Sequence, residues 1–274
     1  MKKTKSLLLS TPYILWMIVF TLVPLCVVLY YALTDVETGV FTLENIKDLW
    51  LYLPALGRSI GYSFVAALIC LLIGYPVAYY MSTCSPVAQK FLYMLVMLPM
   101  CMSFLLRTLA WVGLLQDTGI INTLLGVVGL GPVKLIRTPA AVVLGMVYNY
   151  LPYMILPLYA TIVKIDHRLV EAAEDLGCNG VQVFARVVLP LSVPGILSGI
   201  TMVFVPAVST FYISQKLGGT DTVLIGDVIE RMFKQADNPN LGAALSLVLM
   251  LLVFVCTGIM NRFAGDNEEG GVIV

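Results

Sequence analysis

Few residues in this chain have the types and spacing that enzymatic or metal chemistry needs. His167 is the single histidine, so the chain has no histidine pair for a metal site. HExxH does not occur, and no lysine follows a glycine, which excludes the phosphate-binding GxxxxGK[ST] loop. The six cysteines show no CxxC spacing and are predicted to be small core residues: Cys26, Cys70, Cys84, Cys101, Cys178 and Cys256. The sequence predicts a protein that is not an enzyme and binds no metal, cofactor or ATP of its own.

Arg107 is the residue whose charge most needs a partner. It lies in an otherwise uncharged apolar run from residue 91 to 116. An arginine near the middle of a membrane costs about 2.5–3.5 kcal/mol on insertion scales, so it must face protein or water. Tyr148, Asn149 and Tyr150 are possible acceptors within the chain, and helix-end carbonyls or a partner subunit are others. We predict a gating or structural role for Arg107 in preference to substrate contact.

A polar segment, residues 164–190, has the pattern of two short helices. Its first apolar stripe follows the spacing i, i+3, i+4 and i+7: Leu169, Ala172, Ala173 and Leu176. Asp166 is placed to cap this helix, and Gly177 to end it in the left-handed conformation. Asn179 and Gln182 have the spacing of a capping box for a second helix. We call this segment the 164–190 loop; it suits either a connector resting on the membrane or a docking element for a cytoplasmic partner.

The elements that position these residues are predicted to be membrane helices. The chain is 59% hydrophobic and 12% charged, with a mean hydropathy of +0.94. A soluble domain carries about 25% charged residues. Its 16 basic and 16 acidic residues cancel, so no charged face for polyanions is expected. This composition excludes a soluble enzyme, a disordered chain and a nucleic-acid-binding domain.

Uncharged apolar runs predict an all-α polytopic membrane protein with six transmembrane helices. The spans are expected near residues 12–33, 60–80, 92–115, 140–163, 191–213 and 242–261. Lys2, Lys3 and Lys5 should hold the N-terminus in the cytoplasm, and six spans then return the C-terminus to the same side. The predicted organisation is an N-terminal helix and first external loop over 1–58, a transmembrane domain over 59–264 and a cytoplasmic tail over 265–274.

The 164–190 loop resembles the EAA loop of the permease subunits of bacterial ABC importers. That family's pattern is EAA, three residues, Gly, nine residues, Ile, one residue and Leu-Pro. The matching positions here are Glu171, Ala172, Ala173, Gly177, Val187, Leu189 and Pro190. Val187 in place of isoleucine is the one departure. The resemblance covers about residues 63 to 263 and implies the type I importer permease fold, also called MetI-like. It also implies that the loop docks on an ATP-binding subunit through Glu171, Ala172, Ala173, Gly177, Leu176, Leu169 and Phe184.

Three further segments resemble the spermidine/putrescine permeases of this family: FTLENIKDLW, LPLYATIVKID and KLGGTDTVLIGDVIERMF. This resemblance implies that the chain forms half of a passage for polyamine uptake across a bacterial cytoplasmic membrane. The partners it implies are a second permease subunit (PotC type), two ATP-binding subunits (PotA type) and an extracytoplasmic polyamine-binding protein (PotD type). ATP would then be bound and hydrolysed on the ATP-binding subunits, and no nucleic acid would be involved.

A polyamine would be recognised by aromatic faces and carboxylates. The predicted spans supply aromatic and amide side chains but no carboxylate; we predict four of them for the passage: Trp111, Tyr148, Asn149 and Tyr212. The nearest acids lie at the outer ends of the third, fifth and sixth spans: Asp117, Asp221, Asp227 and Glu230. We predict that these acids form a mouth that accepts a cation. The alternative is that they belong to a solvated loop face.

Two other functions fit parts of the pattern. The same importer could carry another small solute, such as an oxyanion, iron or thiamine, and Arg107 favours the oxyanion. An ion-coupled secondary transporter is the remoter alternative. It would be expected to have paired inverted repeats with broken helices near the midplane. The sequence has no such repeat, and this alternative leaves the EAA pattern unexplained.

Overall fold

The computed structural model describes Tyr13 and residues 15–35, 39–129, 131–235 and 238–269. Within these ranges it describes all side chains except those of residues 44, 46, 261 and 263–269. Lys2, Lys3 and Lys5, on which the predicted orientation depends, lie outside the described residues, as do residues 270–274 of the predicted tail. The described part of the chain is helical, apart from loops and one isolated β-bridge between Thr34 and Phe41.

Six helices in the described residues are long and apolar enough to cross a membrane. They are Leu15–Ala32, Asp48–Thr83, Phe104–Val127, Pro139–Ile162, Gly180–Val208 and Pro239–Met260. A shorter apolar helical segment, Pro86–Cys101, precedes the third of them. The prediction of an all-α, six-span membrane protein is therefore confirmed.

We number the helices in chain order. They are α1 Leu15–Ala32, α2 Leu53–Thr83, α3 Pro86–Met97, α4 Phe104–Leu115, α5 Ile120–Val127, α6 Pro139–Ile162, α7 His167–Asp175, α8 Gly180–Val208, α9 Tyr212–Leu217, α10 Ile225–Lys234 and α11 Pro239–Glu269. A helical turn, Glu44–Lys47, and a 3₁₀ segment, Asp48–Tyr52, precede α2. Two π-helical segments, Ile18–Leu22 and Phe184–Val188, lie within α1 and α8.

The segment predicted as the third span, 92–115, is broken into two helices, so the prediction of one continuous helix was wrong in this respect. Helix α3 ends at Met97, a 3₁₀ turn follows over Leu98–Cys101, and α4 begins at Phe104. Pro99 lies in the turn. It has no N–H to donate, and its ring collides with the carbonyl of the preceding helical turn. Met102 then takes an extended conformation, which ends the first half of the span.

The fifth span is also broken, although the sequence predicted a single helix over 191–213. Helix α8 ends at Val208, and the short helix α9 begins at Tyr212. The start of α10 packs against this break at Gly226. A Cβ at Gly226 would lie 2.6 Å from the carbonyl oxygen of Thr210 and 2.8 Å from that of Ser209. Only a glycine allows the two backbone segments to approach this closely.

The chain divides into two compact units, and the larger one comprises Ala55–Asp227 and Val253–Val274. Its core is built around α6, because 61% of that span is buried in the structure, compared with 6% of α1. Gly195 and Gly199 of α8 contact Thr161 and Met154 of α6. Small residues of this kind allow membrane helices to pack with their backbones close together.

The smaller unit comprises Met1–Pro54 and Val228–Leu252. Ala32 packs with Ala243 and Ala244 in a small apolar cluster. Beside it, the carbonyl of Thr34 accepts hydrogen bonds from the side-chain amides of Asn45 at 3.0 Å and Asn240 at 2.6 Å. These amides satisfy a backbone acceptor just beyond the end of α1, where the helix leaves no partner of its own.

Candidate coupling loop and transport passage

The first helix of the 164–190 loop begins and ends as predicted. An Asp166 carboxylate oxygen accepts the backbone N–H of Arg168 at 3.0 Å and caps α7. Gly177 has a φ of 84°, and the Cys178 N–H donates to the Ala173 carbonyl at 3.1 Å. This six-to-one bond, with a left-handed glycine inside it, is the Schellman ending of a helix. The predicted roles of Asp166 and Gly177 in shaping the loop are therefore confirmed.

The predicted capping box is also present. The Asn179 side-chain oxygen accepts the backbone N–H of Gln182 at 2.9 Å, and the Gln182 side-chain oxygen accepts the N–H of Asn179 at 2.9 Å. The helix that begins here does not stop at the membrane boundary, because α8 runs without interruption from Gly180 to Val208. The second half of the loop is thus the first turns of the fifth span.

Three of the four residues in the apolar stripe of α7 are uncovered within the described chain. Leu176 is 86% exposed, and Leu169 and Ala172 are exposed as well. Ala173 is buried against the protein, while Glu171 points away from it. The exposed leucines and alanine form one open face on a short capped helix, which is the geometry needed for insertion into a groove of another protein.

Phe184 is positioned differently from the other predicted coupling residues. Its ring packs edge-on against Tyr75 and Tyr79 of α2, with centroids 5.4 and 5.8 Å apart. The Tyr75 hydroxyl in turn makes a 2.7 Å hydrogen bond with the Ser192 hydroxyl of α8. Phe184 therefore fastens the loop to the second span of its own chain. Its contact with an ATP-binding subunit stays a prediction.

Two groups of the predicted passage residues lie beside α4. Trp111 packs edge-on against Tyr148, with ring centroids 5.4 Å apart. Tyr212 lies 6.3 Å from the ring of Phe104, and the Lys216 ammonium lies 5.7 Å from the centroid of the Tyr212 ring. Phe104 and Lys216 were not among the residues predicted for the passage. Their spacing was a usable signal, because Phe104 and Trp111 are seven residues apart and Tyr212 and Lys216 are four apart.

Asn149 is part of the protein interior and does not face an open passage in this chain. It is fully buried, and its amide nitrogen donates to the carbonyl of Gly145 at 2.9 Å. The side-chain oxygen of Asn149 has no hydrogen-bond partner among the described residues. Its predicted substrate contact is untested and would need this buried acceptor to become accessible.

Arg107 is buried in the larger unit and is only 7% exposed. Its Nε and Nη1 atoms find no hydrogen-bond partner in the part of the chain that the structure describes. Tyr150, one of the three acceptors predicted from the sequence, interacts electrostatically with the guanidinium. The Tyr150 hydroxyl donates to the carbonyl of Pro206 at 3.3 Å, close to the break in the fifth span. Arg107 and the two broken spans therefore converge on α6 near its middle.

The four predicted acids have different surroundings. Asp117 is exposed in the turn between α4 and α5, and Asp221 is exposed, with its carbonyl accepting a bond from Arg58 at 3.2 Å. Asp227 is buried, and its carboxylate accepts the Leu224 N–H at 2.9 Å, so it shapes the start of α10. In the smaller unit, Glu230 pairs with Lys234 at 2.7 Å. The contribution of these acids to a substrate mouth stays a prediction.

Comparison with known proteins identifies the family. Residues 71–265 match the family model described as "binding-protein-dependent transport system inner membrane component". The chain belongs to this family. It is 42% identical over 263 residues to the spermidine/putrescine transport system permease protein PotB of Haemophilus influenzae, covering 90% of this chain and 92% of that protein. It is 35% identical over 247 residues to the PotB protein of Escherichia coli strain K12, covering 87% and 90% of the two chains.

Two solved structures of ABC transporters share the fold of this chain. A bacterial ABC transporter involved in the import of the acidic polysaccharide alginate superposes with a TM-score of 0.81 at 18% identity, covering 96% of both chains. The MetNI methionine ABC transporter, in an inward-facing conformation, superposes with a TM-score of 0.61 at 16% identity, covering 80% of this chain and 97% of that one. These similarities confirm the predicted type I importer permease fold.

Proposed function

We propose that this chain is the permease subunit of an ATP-driven ABC importer for polyamines and forms half of the passage for spermidine or putrescine. The observation that carries this proposal is the 42% identity to a spermidine/putrescine permease over nearly the full length of both proteins. A similarity of this extent includes the spans, the external segments and the 164–190 loop together. The alternatives with an oxyanion, iron or thiamine have no comparable support.

The 164–190 loop couples ATP binding to movement of the spans. The exposed stripe of α7 docks in a groove of an ATP-binding subunit, and closure of the ATP-binding pair on ATP pulls α7 with it. Because the capping box opens a helix that continues into the fifth span, a displacement of the loop moves α8 directly. Phe184 passes the same displacement to α2 through its contacts with Tyr75 and Tyr79.

The remaining subunits follow from this assignment. A second permease of the PotC type completes the passage, two PotA-type subunits bind and hydrolyse ATP, and a PotD-type protein delivers the solute from outside. The 164–190 loop and both termini then lie in the cytoplasm, and the α4–α5 turn lies on the opposite side of the bacterial cytoplasmic membrane. The chain itself has no nucleotide-binding motif.

The passage needs to hold cations weakly, because tight binding would slow release. The Lys216 ammonium beside the Tyr212 ring is an internal example of an aromatic face that holds a primary amine. Such cation–π contacts contribute about 0.5–1 kcal/mol each when exposed. A series of them, with Trp111 and Tyr148 further along, fits a carrier whose specificity resides in the binding protein.

The test is uptake of labelled spermidine and putrescine into proteoliposomes that hold this chain with its partner subunits and binding protein. ATP-dependent uptake of either amine is expected. Uptake driven by an ion gradient without ATP would contradict the importer mechanism. ATPase activity that the loaded binding protein stimulates, without polyamine uptake, would contradict the substrate and leave the importer class standing.

A further inference from the structure

Helix α5 carries an aliphatic face that nothing in the described chain covers. Ile120, Leu124 and Val127 are 61%, 62% and 83% exposed, and Val128 continues the same side. These positions follow the spacing i, i+4, i+7 and i+8, so they lie on one face of the helix. The opposite side is packed against the protein at Asn122, which is buried.

The direction of this face is set by the structure around it. The Asn122 side-chain amide donates to the carbonyls of Gln116 at 3.2 Å and Val133 at 3.1 Å, and its oxygen accepts the Val133 N–H at 3.0 Å. One side chain thus ties α5 to the segments before and after it. Gly119 closes the preceding turn, where a Cβ would lie 2.5 Å from the carbonyl oxygen of Leu114. The exposed aliphatic face is therefore held outward by the fold.

The turn that precedes α5 indicates how deep this helix lies in the membrane. Helices α4 and α5 belong to one apolar segment, Phe104–Val127, but Asp117 is exposed in the turn between them. An aspartate at the centre of a membrane helix costs about 2.5–3.5 kcal/mol, so this turn lies at the membrane surface. Helix α5 begins three residues after Asp117 and therefore begins near that surface.

We propose that α5 lies in the membrane–water interface and inserts Ile120, Leu124 and Val127 among the lipid acyl chains. The preceding helix α4 also carries exposed apolar side chains, among them Leu106, which is 62% exposed. No charged residue occurs between Asp117 and Lys134, so the segment has charges only at its two ends. A surface for a soluble protein partner would be expected to carry a polar or charged rim, whereas an interfacial helix needs an apolar face at the headgroup boundary. Lipid is the occupant that fits this surface.

The proposal does not depend on the transported solute and is tested by photo-crosslinking in native membranes that contain the assembled transporter and its binding protein. Leu124→p-benzoylphenylalanine is the test variant. Leu106→p-benzoylphenylalanine is the matched control in a span, since both leucines are 62% exposed. Lys134→p-benzoylphenylalanine is the control beyond the charged end of the segment. Val127→p-benzoylphenylalanine repeats the test at a second position if the first variant does not assemble.

Lipid adducts, detected by mass spectrometry, are expected at Leu124 in a yield similar to that at Leu106 and several-fold above that at Lys134. An adduct to the binding protein or to the second permease at both Leu124 and Val127 would overturn the proposal. So would the absence of lipid adducts at these two positions while Leu106 yields them, because α5 would then face water.

Discussion

The ring of Phe184 stands edge-on to the ring of Tyr75, with centroids 5.4 Å apart and an interplanar angle of 82°. Edge-to-face pairs of this kind contribute about 0.5–1.5 kcal/mol beyond the area they bury. Phe184 belongs to the 164–190 loop and Tyr75 to the C-terminal third of α2, so the pair connects the loop to a span other than the one it leads into. The loop is therefore anchored at two points: through α8 by the chain itself, and through α2 by this contact.

Replacing Phe184 should weaken that second anchor. Phe184→Ala removes both ring contacts, and we expect a loss of stability of about 3 kcal/mol, the lower end for a truncated core aromatic because the side chain is half-buried. ATP hydrolysis should then produce less uptake per turnover. The control is Val181→Ala, because Val181 is exposed and on the same helix. Thermal unfolding and the ratio of uptake to ATP hydrolysis measure the two effects; equal behaviour of both variants would contradict the anchoring role.

Gly177 offers a test of loop geometry alone. Gly177→Ala places a Cβ on a residue with a φ of 84°, which costs about 1–2 kcal/mol although nothing lies within 4 Å of that Cβ. We expect α7 to lose its ordered ending, and ATP-dependent uptake to fall more than ATPase activity. Gly180→Ala is the matched control, since that position is equally open and has no positive φ. If the two variants transport at the same rate, the left-handed ending of α7 is not needed for coupling.

Arg107 should be replaceable without loss of stability. Arg107→Met removes a buried charge whose Nε and Nη1 are unpaired in the described chain and keeps an apolar side chain of similar length. We expect a stability that is unchanged or as much as about 3 kcal/mol higher. Arg58→Met is the comparison, because it removes a donor that bonds the Asp221 carbonyl. Thermal unfolding of the assembled transporter measures the change in stability. A clear destabilisation by Arg107→Met would mean that another subunit pairs with the guanidinium.

The contact between α6 and α8 should tolerate no added methyl group at Gly195. A Cβ there would lie 2.6 Å from Oγ1 and 2.8 Å from Cβ of Thr161. Overpacking of this kind costs about 1–3 kcal/mol. Gly61→Ala is the control, since Gly61 lies on α2 with nothing within 4 Å of the added atom. We expect the melting temperature to fall for Gly195→Ala only; a fall of the same size in both variants would argue against close packing at Gly195.

The conformation of the 164–190 loop was the feature best predicted from the sequence, because the residues that determine it act on their near neighbours in the chain. The cap at Asp166, the left-handed Gly177 and the Asn179–Gln182 box each act within a few residues, and all three are present in the structure. The family pattern added the prediction that the loop docks on an ATP-binding subunit. Its anchoring by Phe184 could not be predicted, because the ring meets residues more than one hundred positions earlier in the chain.

The breaks in the third and fifth spans were missed because apolar composition does not distinguish a continuous helix from two halves. Pro99 was a visible signal for the first break, but Pro152 and Pro157 lie inside the continuous helix α6. Whether a proline breaks a span depends on the neighbours that can satisfy the freed backbone groups. Similarly, the acid at Asp227 could not be recognised as a capping residue until its distance to the Leu224 N–H was known.

Most of α6 is enclosed by the protein, whereas nearly all of α1 is exposed. The two helices should therefore differ in how many substitutions they tolerate. Any apolar residue of any shape satisfies a lipid-facing position, whereas an enclosed position accepts only a side chain that fits its neighbours. In a library of random apolar-for-apolar exchanges, α1 should retain transport for most variants. The same exchanges in α6 should abolish transport at the positions that pack against Gly195 and Gly199.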